Sequence, residues 1–287
     1  MSREVLPGTT YLVTRRSNAR FYLFRPDATG VMQRIFLYLL AVIAGLFGIQ
    51  VHAAVLASTH YHLVITDTRG LYPKFLHRFN RLVALLTQCH RGWGGSVFNR
   101  SQTSMVELTN VKSMIEKMAY VIVNPVAAGA VRFHQEWPGF VTRVREIGTT
   151  LGPVAKPTLF FRSKKWPDFA TLPITWPPLL LEHYGSTEAA RAALQEEVER
   201  QQAKAHAEIQ DKGWTFLGAD RCKKLSVQKR AVAYEVWGSR NPTFATGGDR
   251  DLYLELIQRR RAFRAAYKQA LKEWHRGNRN VAFPPGT

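Results

Sequence analysis

The chain has 287 residues, with 40 lysine and arginine residues against 21 aspartate and glutamate residues, and a formal net charge of +19 at pH 7. Such a balance most often indicates a polyanionic partner, with nucleic acid as the first candidate and a merely solvated basic surface as the alternative. The two cysteines, Cys89 and Cys222, exclude a disulfide framework and a zinc finger, and they fit a reducing cytoplasm.

The first half of the chain contains five segments with strand or helix periodicity. They are a strand at 9–16, a core helix at 32–47, two strands at 51–57 and 60–67, and an amphipathic helix at 71–90. The apolar run from Ile35 to Ile49 is 15 residues long. It is shorter than the roughly 20 residues of a membrane-spanning helix, so we expect a buried helix and no membrane contact.

A further helix is predicted to begin after Thr109 and Asn110, which can cap it. It continues through VKSMIEKMAYVIVN, and Pro125 is expected to end it. The order β-α-β-β-α-(β)-α with antiparallel neighbours predicts an α+β fold, in which helices pack on an antiparallel sheet.

The composition changes past about residue 138, and it predicts three parts. The first is a domain at 1–138 that contains the elements above. The second, at 139–186, is rich in proline and is expected to be a loop-dominated bridge. The third, at 187–287, is expected to be a basic, mostly helical extension with helices at 187–212 and 251–276.

Two histidines in the stretch STHYHLVITD are the first candidate site residues. Alternation along a strand places His60 and His62 on one face, about 6.6 Å apart in rise, where both imidazoles could bind one ion. The later helix offers Tyr120 and Asn124, which are four residues apart and so share a helical face. Packed on the sheet, this helix would complete a set of two histidines and one asparagine with a tyrosine at its edge.

This set of side chains suits phosphodiester cleavage by a tyrosine nucleophile. The ion would polarise a non-bridging phosphate oxygen while the tyrosine attacks phosphorus. Nitrogen and oxygen ligands in an open site would accept Mg²⁺ or Mn²⁺, with Mn²⁺ better suited to imidazole.

Three motifs carry a resemblance to a known family. The H-Y-H at 60–62 resembles the histidine motif of the single-tyrosine HUH transposases, and YVIVNPVAAGAV at 120–131 is similar to the tyrosine helix of their REP-associated branch. The opening PGTTYLVTRR at 7–16 resembles that branch's first strand. Because the histidine pair precedes the tyrosine, the order differs from that of the relaxases.

The resemblance implies a ferredoxin-like HUH fold in residues 1–138 and assigns the site residues. By it, Tyr120 is the nucleophile that forms a 5′-phosphotyrosine with single-stranded DNA, while His60, His62 and Asn124 hold the ion. Members of the branch bind hairpins of repetitive extragenic palindromes. The expected partner is therefore single-stranded or hairpin DNA, in the cytoplasm and associated with the nucleoid.

Two other functions are compatible with parts of the sequence. A non-cleaving protein could use the same fold and basic surface to hold nucleic-acid hairpins, although it would not need Tyr120. A zinc hydrolase could use His60, His62 and a distant histidine, although it would not need the basic charge. The sequence leaves the oligomeric state open.

Overall fold

The computed structural model describes residues 4–99, 103–158, 165–232 and 242–287. The strands are β1 (Thr9–Arg16), β2 (Ile49–Leu56), β3 (His60–Asp67), β4 (Ser104–Leu108), β5 (Thr149–Ala155), β6 (Phe169–Ile174) and β7 (Phe244–Ala245). The α-helices are α1 (Val31–Phe47), α2 (Tyr72–Arg91), α3 (Val111–Ala127), α4 (Pro178–Tyr184), α5 (Thr187–Asp211), α6 (Ala219–Lys224) and α7 (Arg250–His275). Short 3₁₀ helices lie at Asn18–Arg20, His134–Glu136 and Val144–Glu146.

The described strands form one sheet in the order β5-β6-β2-β3-β1-β4-β7. The central pairs β2–β3, β3–β1 and β1–β4 are antiparallel, whereas β6 and β7 join β2 and β4 in parallel. Helices pack on this sheet, so the predicted α+β class with an antiparallel sheet is confirmed. All five elements predicted in the first half of the chain are present, with ends that move by at most two residues.

One face of the sheet is covered by α1 and α2. Tyr61 points from β3 to this face and is fully buried against Phe36 of α1 and Phe79 of α2, with ring centroids 5.7 and 5.6 Å away. Burying each large apolar side chain contributes about 1.5–3 kcal/mol, and this explains why α1 is apolar on almost every side. Within the described ranges, no helix is long and apolar enough to cross a membrane.

The opposite face of the sheet is covered by α3, which packs against β2 and β3. Its first turn is closed by a capping box, in which the side chain of Asn110 accepts from Ser113 N at 2.9 Å. The expectation that Pro125 ends this helix is wrong, because the helix continues to Ala127. Proline removes one backbone hydrogen bond, but tight packing of the last turn against the sheet offsets that loss.

The segment at 139–186, expected to be dominated by loops, contains strands β5 and β6 and helix α4 among its described residues. Strands β5 and β6 form an antiparallel pair, and β6 meets β2 where Val51 lies opposite Ile174. The register of the pair shifts between Leu151 and Val154, around Pro153, and β5 is an edge strand. Edges and bulges are the places where a sheet tolerates proline, so proline content alone misled the sequence interpretation.

The C-terminal segment contacts the N-terminal half of the chain through ion pairs of α7 and through the pairing of β7 with β4. Arg259 donates to Glu4 Oε2 at 3.1 Å and to Glu107 Oε2 at 2.6 Å. The short strand β7 pairs with β4. Helix α5 packs on the outside of α3. The helical character predicted for 187–287 is therefore present, while the domain boundaries at 138 and 186 stay predictions.

Candidate active site

The two predicted histidines lie side by side on the α3 face of the sheet. Their ring centroids are 4.6 Å apart, and the rings are inclined at 78°. His62 is almost fully buried, with 2% of its surface exposed, whereas His60 at the start of β3 is half-buried. The period of two along a strand is sufficient to explain why both rings share this face.

Threonine hydroxyls orient both imidazoles. Thr14 of β1 lies opposite His62 in the antiparallel register, and its Oγ1 is 2.7 Å from His62 Nδ1. Thr59 Oγ1 is 3.0 Å from His60 Nδ1. A proton on Nδ1, donated to the hydroxyl, leaves the Nε2 lone pair of the ring for a metal or a proton. The sequence analysis did not identify Thr14, because its position beside His62 depends on how β1 and β3 are aligned.

Helix α3 brings Tyr120 to the histidine pair. Its Oη lies 3.4 Å from His62 Nε2, and the two ring centroids are 5.1 Å apart. This separation is long for a hydrogen bond, so the phenol engages the imidazole only weakly. Tyr120 is 36% exposed, and a substrate can therefore approach it from solvent.

Asn124 lies one turn further along α3 and is 6% exposed. Its Oδ1 is buried and accepts no hydrogen bond of normal geometry among the described residues, although the side chain lies close enough to His60 and Tyr120 to shift the pKa of each. A buried carbonyl oxygen without a partner costs about 1–3 kcal/mol, unless a ligand completes its coordination. The unpartnered oxygen and the two imidazoles form a donor set that fits a small divalent cation.

The electrostatic environment keeps both imidazoles neutral. Burial lowers the pKa of His60 to about 4, aided by the positive charge of Arg16 and opposed by the side chain of Asn124. Burial also lowers the pKa of His62 well below its ordinary value, with further contributions from His60 and Arg16. Neutral imidazoles are the form that binds metal, so these rings are available as ligands at neutral pH.

Positive charge also surrounds the tyrosine. Arg16 lies directly opposite His60 in the β1–β3 register, and it lowers the pKa of Tyr120 against the larger, raising effect of burial. Lys117, one turn before Tyr120, places its Nζ 5.8 Å from the centre of the tyrosine ring. The sequence analysis missed both cations. Knowledge of the strand register would have identified Arg16, and the helical spacing of three would have identified Lys117.

Two other polar residues of the sheet have structural roles. His52 is fully buried, with Nε2 2.7 Å from Thr66 Oγ1 and Nδ1 2.8 Å from Thr175 O. Asp67 ends β3 and accepts from the backbone nitrogens of Leu71 and Tyr72 at 2.9 and 2.7 Å.

The described part of the chain contains no group of three or more histidine, cysteine, aspartate or glutamate side chains that could hold a metal ion. A zinc hydrolase site built on His60, His62 and a third histidine therefore finds no support there. Among the described residues, the neutral oxygen of Asn124 is the candidate third ligand to the histidine pair.

No family model matches the sequence, and no curated protein matches it. A solved structure of a REP-associated tyrosine transposase bound to a REP hairpin is similar with 18% sequence identity and a TM-score of 0.42. The match covers 51% of this chain and 83% of that chain.

Proposed function

We propose that the protein is a metal-dependent single-stranded DNA endonuclease and strand transferase that acts on hairpin-forming repeat DNA. The observation that supports this best is the convergence of Tyr120 Oη on His62 Nε2 at 3.4 Å, beside the unpartnered Oδ1 of Asn124. Helix α3 and strand β3, which are distant in sequence, thus bring together a phenol, two neutral imidazoles and a buried oxygen. The motif resemblance and the charge of +19 point to the same class of substrate.

In this proposal Tyr120 Oη attacks the scissile phosphorus. An O–P bond to the tyrosine forms as the phenol proton passes to solvent, the bond from phosphorus to the 3′ oxygen breaks, and that oxygen takes up a proton from solvent and leaves as a free 3′-hydroxyl. Because one phosphodiester replaces another, the step needs no external energy source and can run backwards to join a new 3′-hydroxyl, which is strand transfer. A tyrosine is protonated at neutral pH, and burial raises the pKa of Tyr120 further, so nearby positive charge must assist its ionisation.

Arg16 and Lys117 supply that charge. Arg16 also lies on the histidine face, where its guanidinium can donate to non-bridging oxygens of the scissile phosphate. Charge-assisted donors placed where negative charge develops are usually the largest contribution to such catalysis.

His60, His62 and Asn124 would hold the divalent metal, Mg²⁺ or Mn²⁺. When bound, it would supply Lewis-acid polarisation of a non-bridging phosphate oxygen. The protein's own contribution is to hold the two rings through Thr14 and Thr59 and to keep them neutral by burial.

Covalent trapping on labelled DNA tests the proposal. A hairpin oligonucleotide with single-stranded flanks is incubated with protein and Mn²⁺, labelled at either its 5′ or its 3′ end, and run on a denaturing gel. A 5′-phosphotyrosine transfers the 3′ label to the protein, while the 5′ label appears on a shorter free strand.

The matched variants are Tyr120→Phe at the site and Tyr253→Phe on the exposed surface of α7. Tyr120→Phe should abolish adduct and cleavage while hairpin binding stays within about twofold, because only one oxygen is lost. Tyr253→Phe should behave as the wild type. Adduct formation by Tyr120→Phe would exclude this nucleophile, and wild-type binding without cleavage would favour a hairpin-binding protein.

A further inference from the structure

The solvent face of α2 carries a row of cations that the proposed chemistry does not use. Lys74, Arg78 and Arg81 are exposed and are spaced four and three residues apart, so they form one stripe of about 10 Å along the helix. The whole of α2, from residue 72 to 91, contains no aspartate or glutamate. Its other face is apolar and packs into the core.

These cations line a continuous groove, here called the α2 groove. It consists of two adjoining depressions of about 580 and 460 Å³, and both are lined by His77 and Arg81. The first also contains Lys74 and Arg78, and the second contains Arg15 and Asn80. No acidic side chain lines the groove among the described residues.

Among the described residues, no acidic side chain neutralises the stripe. In the part of the chain that the structure describes, none of Lys74, Arg78 and Arg81 forms an ion pair with a carboxylate. Three exposed cations held on one rigid helix repel one another, and the proximity of an anion relieves that repulsion. The groove is thus prepared for a polyanion rather than for an apolar ligand.

The aromatic rings beside the groove hold arginines rather than presenting free faces. Arg78 lies over the Trp166 ring at 5.7 Å from its centroid, and Arg15 lies over the Phe98 ring at 5.0 Å. Proteins that bind unpaired strands along their length usually offer open aromatic faces for base stacking. A groove that is lined by cations, and whose aromatic rings are covered by arginines, is instead suited to contact with the sugar–phosphate backbone of DNA.

The groove and the candidate active site are both lined by residues at the end of strand β1. Arg15 lines the second depression of the groove, and the next residue, Arg16, points to the opposite face of the sheet, beside His60. A DNA strand that leaves the groove would therefore pass over the end of β1 to arrive at Tyr120.

We propose that the α2 groove binds the backbone of a paired DNA stem and that the flanking single strand crosses the end of β1 to the histidine face. This rests on the proposed function, since the stem is the paired part of the hairpin substrate. Binding of the stem in the groove determines which DNA strand reaches Tyr120, and the active site cleaves that strand.

The test compares two triple variants with equal loss of charge. One is Lys74→Gln/Arg78→Gln/Arg81→Gln in the groove, and the control is Arg261→Gln/Arg264→Gln/Lys268→Gln on α7. Binding of a flanked hairpin is measured as a function of salt, together with cleavage of the hairpin and of the same flank without a stem. Thermal unfolding of each variant, and the single variant Arg78→Gln, show whether the fold is retained.

The groove variant should bind the hairpin at least about 10-fold more weakly, and the slope of log K against log salt should decrease by about 3, at roughly 0.9 per phosphate contact. Its cleavage of the stemless strand should equal that of the wild type. The α7 variant should keep the wild-type slope.

Unchanged hairpin affinity and slope in the groove variant would overturn the proposal, and so would an equal loss in the α7 variant. Binding of poly-glutamate is measured in parallel. If the groove variant loses poly-glutamate binding while its hairpin binding is unchanged, the groove binds an acidic protein and the proposal is overturned as well. If the wild type cleaves no DNA but the groove variant alone loses hairpin binding, the proposed catalysis fails while the groove stands.

Discussion

Replacing Asn124 by leucine separates the stability of the protein from its affinity for metal. Leucine has a similar size but no oxygen, so Asn124→Leu removes the buried Oδ1 that lacks a partner. Relief of that desolvation is worth about 1–3 kcal/mol, reduced by the loss of the amide's interactions with His60 and Tyr120. We expect the free energy of unfolding without metal to rise by about 1 kcal/mol, whereas most core substitutions lower it.

The same variant should lose its response to metal. A ligand present at 100 times its dissociation constant stabilises the folded state by about 2.7 kcal/mol. Urea unfolding in EDTA and in excess Mn²⁺ measures both effects. The wild type should gain stability with Mn²⁺, and Asn124→Leu should gain little, so the order of stability of the two proteins reverses between the two conditions.

Asn80→Leu provides the matched control. Asn80 also carries a shielded amide, but its Oδ1 accepts from Tyr61 Oη at 2.6 Å. Its replacement leaves the fully buried phenol without an acceptor, so stability should fall by about 1–3 kcal/mol and the gain with Mn²⁺ should not change. Lower stability of Asn124→Leu in EDTA would show that Oδ1 has a partner. Full Mn²⁺ stabilisation of that variant would remove Asn124 from the metal site.

Three further predictions concern the residues around this site. His62→Gln should abolish Mn²⁺-dependent cleavage and Mn²⁺ stabilisation, and full cleavage by the wild type in EDTA would contradict a role for metal. Arg16→Gln should slow single-turnover cleavage roughly 100-fold with hairpin affinity nearly unchanged, and Arg16→Lys should restore part of the rate; an unaltered rate in Arg16→Gln would exclude phosphate contact. Burial lowers the pKa of His52 to about 4. Between about pH 6.5 and pH 4, the unfolded chain therefore binds a proton at His52 that the folded protein does not bind. The contribution of His52 to the free energy of unfolding is complete above pH 6.5 and is lost as the pH falls towards 4, by up to about 3 kcal/mol. Urea unfolding at pH 7.5 and 5.0 should show a smaller decrease in stability for His52→Gln than for the wild type.

Local periodicity in the sequence determined most of the first half of the fold and the outline of the site. Alternation in β3 is enough to place His60 and His62 together, and a spacing of four is enough to align Tyr120 with Asn124. The cap at Asn110 likewise follows from neighbouring residues. These features depend on bonds and angles within a few residues, so the sequence alone predicts them.

Only the tertiary structure decided which residues complete the site and where the sheet ends. Thr14 and Arg16 lie beside the histidines because β1 pairs with β3 in one register, across 48 residues of sequence in the case of Thr14 and His62. Pro125 remains in a helix, and the proline-rich segment forms two strands, because packing and sheet pairing outweigh local preference. Register and neighbour choice are set by contacts between distant segments, and local sequence patterns do not contain that information.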